Sequence, residues 1–140
     1  MTRRVALICG PPGAGKTTLA HTLGLTVYDL DDPHWHGSER LFRDALRAVA
    51  QDPIAQAAVI RCAPTLSARS KAVHLCGATE VVVIDTDLQT CIERITQRGR
   101  ADIRGQIAAA QNWWKTYEPG AATEAARRPM PAPLTTSRAW

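Results

Sequence analysis

Lysine is scarce in this chain. Of its 17 basic residues only Lys16, Lys71 and Lys115 are lysines, and the rest are arginines. No two basic neighbours are extended to three, so a dedicated nucleic-acid-binding patch is not expected. The formal charge of +4 suits anionic ligands, which arginine grips in bidentate fashion, or follows from a compositional bias of the source genome. Long apolar runs are also missing. Nothing approaches the roughly 18 residues of a membrane span, and no membrane association is expected. The four cysteines form no CxxC pair, so Cys9, Cys62, Cys76 and Cys91 read most simply as small buried hydrophobes, with a metal or disulfide role as the alternative. Met1-Thr2-Arg3-Arg4 is basic, but it leads straight into a strand-like segment instead of a signal-peptide core, so the cytoplasm is the expected location. There is no internal repeat. At 140 residues and 45% hydrophobic content, one domain with one substantial core is expected.

Against these absences stands one octet, Gly10-Pro11-Pro12-Gly13-Ala14-Gly15-Lys16-Thr17. It satisfies the P-loop pattern G-x-x-x-x-G-K-[ST]. Arg4–Cys9 before it reads as a buried strand, and Thr18–Leu23 after it reads as the opening of a helix. In that setting glycines let backbone N–H groups turn inward around phosphate oxygens, aided by the positive end of the helix. Residues 10–18, Thr18 included, are therefore the expected nucleotide-binding segment. Lys16 is expected to reach the β- and γ-phosphates of ATP and the Thr17 hydroxyl to ligate Mg²⁺.

Short apolar runs alternate with helical periods, which predicts an α/β fold. Strands are expected over 4–9, 25–28, 57–60 and 80–84. Helices are expected over 15–23, from Ser38 to Pro53, over 66–76, over 88–98 behind Asp87, and over 102–116. The last has an apolar stripe at Ile103, Ile107, Ala110 and Trp114. Residues 1–118 form the expected nucleotide-binding domain, and 119–140, rich in Ala, Pro and Arg, the expected surface tail.

Ligands of open parallel sheets sit beyond the carboxyl ends of the strands. Asp29 and Asp31 stand after the second strand. Such a pair can divide labour, one carboxylate holding an Mg²⁺-bound water and the other accepting the proton of an attacking hydroxyl; a polar turn closed by Pro33 is the alternative. Trp35 serves as an acceptor-stacking wall or a core cap, and His34 and His36 beside it leave a zinc site as a further alternative. The third strand delivers Arg61. Arg94 and Arg98 lie four apart on one helix face, expected opposite Leu88, Ile92 and Ile95. With Arg100 and Arg104 they suit a lid over transferring phosphates, or else a solvated face paired with Glu93 and Asp102. Val81–Ile84 followed by Asp85 also matches a Walker-B strand.

The order P-loop, D-x-D, basic residue after strand 3, and R-x-x-x-R helix resembles the small P-loop kinases: shikimate, gluconate and nucleoside-monophosphate kinases and the kinase half of polynucleotide kinases. Val27-Tyr28-Asp29-Leu30-Asp31 is similar to the strand-2 motif of shikimate kinases, and Glu93-Arg94 with Arg98 to the lid helix of the group. Arg61-Cys62-Ala63-Pro64 stands where shikimate kinases carry a glycine cluster, and no fifth strand is evident after Trp114. The reduced size resembles that of compact phage-encoded P-loop proteins. The resemblance implies a three-layer α/β/α P-loop NTPase fold, with a short parallel sheet in the order 2-3-1-4. It also implies transfer of the ATP γ-phosphate to a small hydroxyl- or phosphate-bearing acceptor, such as a nucleoside, nucleotide or polynucleotide end. Lys16, Asp31, Arg94 and Arg98 are then catalytic, Thr17 and Asp29 hold the metal, and Asp31, Trp35 and Arg61 meet the acceptor. A Mg²⁺-dependent ATPase or nucleotide switch acting on a macromolecule, with Asp85 as its Walker-B residue, is the competing expectation.

Overall fold

The computed structural model describes residues 2–120. Most of the expected tail, 119–140, lies outside the described residues. Four strands, β1 (Arg4–Cys9), β2 (Thr26–Tyr28), β3 (Gln56–Arg61) and β4 (Glu80–Val83), form an all-parallel sheet in the order β2-β3-β1-β4. The order is the expected one, with β1 interior. Val5 to Cys9 have no solvent exposure at all, as a strand covered on both faces requires. Each such aliphatic side chain contributes about 1.5–3 kcal/mol of burial. Cys9 pairs in register with both Arg61 and Val83, so three strands end level and release their loops at one rim.

Five helices cover the sheet: α1 (Lys16–Thr22), α2 (Glu39–Gln51), α3 (Leu66–Cys76), α4 (Leu88–Arg98) and α5 (Ile103–Thr116). Their starts are written locally. Ser38, Thr65, Asp87 and Asp102 each accept a hydrogen bond from a backbone N–H of the first turn, satisfying donors that the helix leaves unpaired. A short 3-10 turn, Pro33–Trp35, capped by Asp32, follows β2. One core, around Val5, Leu7, Phe42, Leu46 and Val59, lies under α2 and α3; the other, around Ile8, Leu19, Ile60, Ile84 and Ile95, lies under α1 and α4. Helix α5 serves both. Ala110 belongs to the second core, and Trp113 plugs the first. The expected stripe on α5 packs inward to its end, where Trp114 is half-buried against the first core and donates its indole N–H to the Thr86 carbonyl at 3.1 Å, and Trp113 joins it as the fully buried tryptophan.

Candidate functional site

Gly10 leaves β1 with its N–H donating to the Cys62 carbonyl at 3.2 Å. The strand's exit is so close to its neighbour that a β-carbon on Gly10 would stand 2.7 Å from the Ile84 carbonyl oxygen. The loop then turns at Gly13 (φ 80°) and Gly15 (φ 105°), both left-handed, and Gly15 caps α1. Only glycine adopts these conformations freely. Two side chains from other elements hold the loop's carbonyls. The Thr86 hydroxyl donates to the Ala14 carbonyl at 3.0 Å, and Arg94 Nη1 donates to the carbonyls of Gly13 and Ala14 at 3.4 and 3.3 Å. With carbonyls drawn toward α4, the opposite ends of those peptides are available to an anion.

Arg94 corrects an expectation. It is 6% exposed and lies on the inner face of α4 with Cys91 and Ile95, not opposite the apolar residues. The spacing explains it: positions 91, 94, 95 and 98 form one helical stripe, and the guanidinium ends among loop carbonyls. Burial holds its pKa below the ordinary arginine value, with Cys91 and Asp87 opposing. Arg98, one turn on, is half-buried, and its Nε is buried with no hydrogen-bond partner among the described residues. Burial first, then the like charges of Arg100 and Arg94, lower its pKa as well.

Lys16 curls over the loop, donating to the carbonyls of Gly10 at 2.5 Å and Pro11 at 3.2 Å and to the Cys62 thiol at 3.7 Å. Cys62 departs from the expectation of a buried thiol: it is exposed, whereas Cys9, Cys76 and Cys91 are buried. Thr17 and Asp29 meet. The threonine hydroxyl donates to Asp29 Oδ2 at 3.4 Å, and Asp29 Oδ1 accepts from the backbone N–H of Asp31 at 3.0 Å. A hydroxyl and a carboxylate side by side beneath a glycine cradle are hard oxygen donors of the kind Mg²⁺ takes. Asp31 and Asp85 are both exposed at the same rim.

On the flank, Arg61 does not stand open. Its Nη2 donates to Glu39 Oε1 at 2.7 Å, and its guanidinium lies 5.5 Å from the Phe42 ring centroid. Glu39 also pairs with Arg43 at 3.1 Å. The hydrogen bond from Arg61 is the leading cause holding the Glu39 carboxyl below its usual pKa. Trp35 sits edge-on to Phe42 at 5.4 Å and stacks toward Tyr28 at 6.4 Å, so it covers the core and presents a wall together. Two clefts lie elsewhere: one of about 520 Å³ between α2 and α3 near Arg47 and His74, and one of about 450 Å³ along the β2 edge beside Tyr28, Trp35 and Ala48. Neither is lined by the loop of residues 10–18, around which Lys16, Asp29 and Arg94 converge. The Arg61–Glu39 pair and the inward turn of Arg94 are the features sequence reasoning missed. The stripe spacing of α4 was a usable signal for the second; the first had none.

The chain is similar in structure to a gluconokinase from Sinorhizobium meliloti 1021, with TM-score 0.63 and 16% identity over 95% of this chain and 86% of that one. An unliganded sugar kinase from Janibacter sp. HTCC2649 gives TM-score 0.63 and 18% identity, covering 99% and 92%. Kti12 from Chaetomium thermophilum, in complex with ADP-AlF3, gives 0.60 and 16%, covering 95% and 94%. In sequence, 53 residues are 42% identical to the chromosome transmission fidelity protein 18 homolog of Homo sapiens, spanning 35% of this chain but only 5% of that protein. No protein-family model matches the chain. In architecture and strand order, the chain has the fold of the small P-loop kinases.

Proposed function

We propose that this protein is a phosphotransferase that moves the γ-phosphate of ATP to a hydroxyl-bearing acceptor. The observation that carries the reading is the 3.4 Å contact of Thr17 with Asp29, which joins the P-loop to the D-x-D of β2 in one site. Residues 10–18 cradle the phosphates through backbone N–H groups, and Arg94 keeps that backbone in place. Thr17 and Asp29 hold Mg²⁺, which when bound neutralises charge on the phosphate oxygens. Lys16 exchanges the carbonyls of Gly10 and Pro11 for the β- and γ-phosphates. Asp31 takes the proton of the acceptor hydroxyl as its oxygen bonds to the γ-phosphorus and the bond to the β,γ-bridging oxygen breaks, releasing ADP. Arg98 stabilises the charge on the transferring group, and Trp35 and Arg61 border the acceptor side.

The test is a pair of variants. Lys16→Ala is expected to abolish turnover and weaken nucleotide binding. Asp31→Asn should leave ADP binding intact while lowering transfer by about 10²–10⁴, the reach of a general base. Equal loss of nucleotide affinity in both would make Asp31 a metal ligand. The competing ATPase reading draws on the run Val81–Ile84 followed by Asp85. It predicts acceptor-independent hydrolysis that Asp85→Asn removes and Asp31→Asn spares.

A further inference from the structure

We infer that Thr86 is a positioning residue for the phosphate loop and that Trp114 acts through it: the Thr86 hydroxyl locks the Ala14–Gly15 peptide so that its N–H faces the phosphates. The inference rests on the reading of residues 10–18 as the nucleotide cradle. Thr86 follows β4 at the rim where the loop emerges, 72 residues along the chain from Ala14. Its hydroxyl donates to the Ala14 carbonyl at 3.0 Å, and Arg94 Nη1 approaches the same oxygen at 3.3 Å. Both lone pairs of that oxygen are thereby engaged. Ala14 has no solvent exposure, so water does not replace a donor that is lost.

A trans peptide holds its C=O and N–H in opposite directions. The Ala14 carbonyl and the Gly15 N–H share one such unit, so the bond that fixes the first aims the second. Gly15 is the N-cap of α1 with φ 105°, and among the described residues no acceptor meets its N–H. Glycine moves between backbone regions at little steric cost. Without the Thr86 hydroxyl this peptide is restrained by Arg94 alone, which is shared between two carbonyls at 3.3 and 3.4 Å. Once rotated, it presents an oxygen to the anion in place of a donor.

Thr86 is held in turn. Its own carbonyl accepts the Trp114 indole N–H at 3.1 Å and the Cys91 thiol at 3.4 Å. Trp114 is wedged on α5 between Trp113 and Tyr117, at ring-centroid distances of 5.1 and 5.5 Å. The helix that closes the core therefore also fixes the residue that aims the loop.

Calorimetric titration of the full chain with Mg²⁺-ADP tests this, beside urea denaturation of each variant. Thr86→Val keeps the shape and removes the hydroxyl; affinity should fall about fivefold or more, as for the loss of one buried hydrogen bond, and Thr86→Ser should retain it. Thr96→Val is the control. It removes a hydroxyl bonded to the Ile92 carbonyl at 2.8 Å on the exposed side of α4, and ADP affinity should not change. Trp114→Phe keeps a ring without the N–H. It should weaken ADP binding by about threefold in the wild-type chain and not at all beside Thr86→Val. A Thr86→Val protein that loses stability yet binds ADP like the wild type overturns the inference, because the hydroxyl would then serve the fold alone. So does a loss of affinity in Thr86→Ser equal to that in Thr86→Val. An equal effect of Trp114→Phe in both backgrounds overturns its action through Thr86. Should Thr86→Val not fold, Trp114→Phe decides, and unchanged ADP affinity in it is the refuting result. A wild-type chain that binds no ADP removes the cradle reading and this inference with it; wild-type binding that Thr86→Val leaves intact removes only the inference.

Discussion

Replacing Gly13 by alanine should damage the protein in two separable ways, and a matched substitution at Gly24 isolates one of them. Both glycines are left-handed, with φ of 80° and 69°. Around Gly24 a new β-carbon meets nothing within 4 Å, whereas at Gly13 it would stand 2.7 Å from the Cys91 carbonyl oxygen, 3.1 Å from Ile95 Cγ1 and 3.2 Å from Cys91 Cα. Gly24→Ala therefore carries the backbone cost alone, about 1 kcal/mol. Gly13→Ala adds the displacement of α4 backbone from the loop, and overpacking of this kind costs about 1–3 kcal/mol, for a total near ~3 kcal/mol. Against a domain stability of about 5–15 kcal/mol both variants should fold. Urea denaturation with matched m-values measures the difference, and titration with Mg²⁺-ADP reads the cradle. Affinity should fall in Gly13→Ala and hold in Gly24→Ala. Equal stability losses, or unchanged ADP binding in Gly13→Ala, would refute the close approach of α4 to the loop.

Arg94→Met should lower stability by about 1–3 kcal/mol and weaken nucleotide binding, because the Gly13 carbonyl loses a charged donor; full stability and binding with slowed turnover would make Arg94 a phosphate contact. Arg98→Ala is expected to reduce kcat more than nucleotide affinity, as for a contact made mainly in the transition state, and steady-state kinetics beside calorimetry would expose the opposite. Burial pushes the Cys76 and Cys91 thiols up to about 11, so at pH 8 only about one in a thousand of each is thiolate. Iodoacetamide on the native protein should therefore mark Cys62 first, and Mg²⁺-ATP should protect it if Lys16 moves to the phosphates. Mass spectrometry that finds Cys91 modified as fast as Cys62 would contradict the packing of α4.

The helices were legible because their ends carry local chemistry. Ser38, Asp87 and Gly99 announce their roles within four residues, and the strands are apolar runs between such signals. The loop of residues 10–17 was legible for the same reason, its glycines and lysine being neighbours in the chain. What escaped are pairings across long separations. Nothing near Arg61 indicates that Glu39, 22 residues earlier, will pair with it. The choice between Trp113 and Trp114 for the core depends on where the β3 exit offers a carbonyl, that of Cys62 at 2.8 Å from the Trp113 indole nitrogen. The charge of Arg94 argues for an outward side chain, and its spacing from Cys91 and Ile95 for an inward one. A buried guanidinium is admitted only when carbonyls wait for it, and those carbonyls belong to a segment 80 residues away.

The way α5 ends has a consequence for how the molecule is made. Trp113, among the largest fully buried side chains, stacks on Tyr117 at 4.6 Å. At the next residue Arg69 grips the chain: buried to 1% exposure, it donates to the Ala63, Pro64 and Glu118 carbonyls, while Glu118 Oε1 receives the Leu66 N–H at 2.9 Å. A ribosome delivers residues in order, so the sheet, the phosphate loop and four helices emerge before the ring that plugs their core and the residue that buckles it to the start of α3. Until then Arg69 is a cation without its full complement of acceptors, and the first core has a tryptophan-sized hole beside Cys62. The nascent chain can collapse early, yet it closes late, and the interval in which that hole is open is when exposed apolar surface invites misassembly.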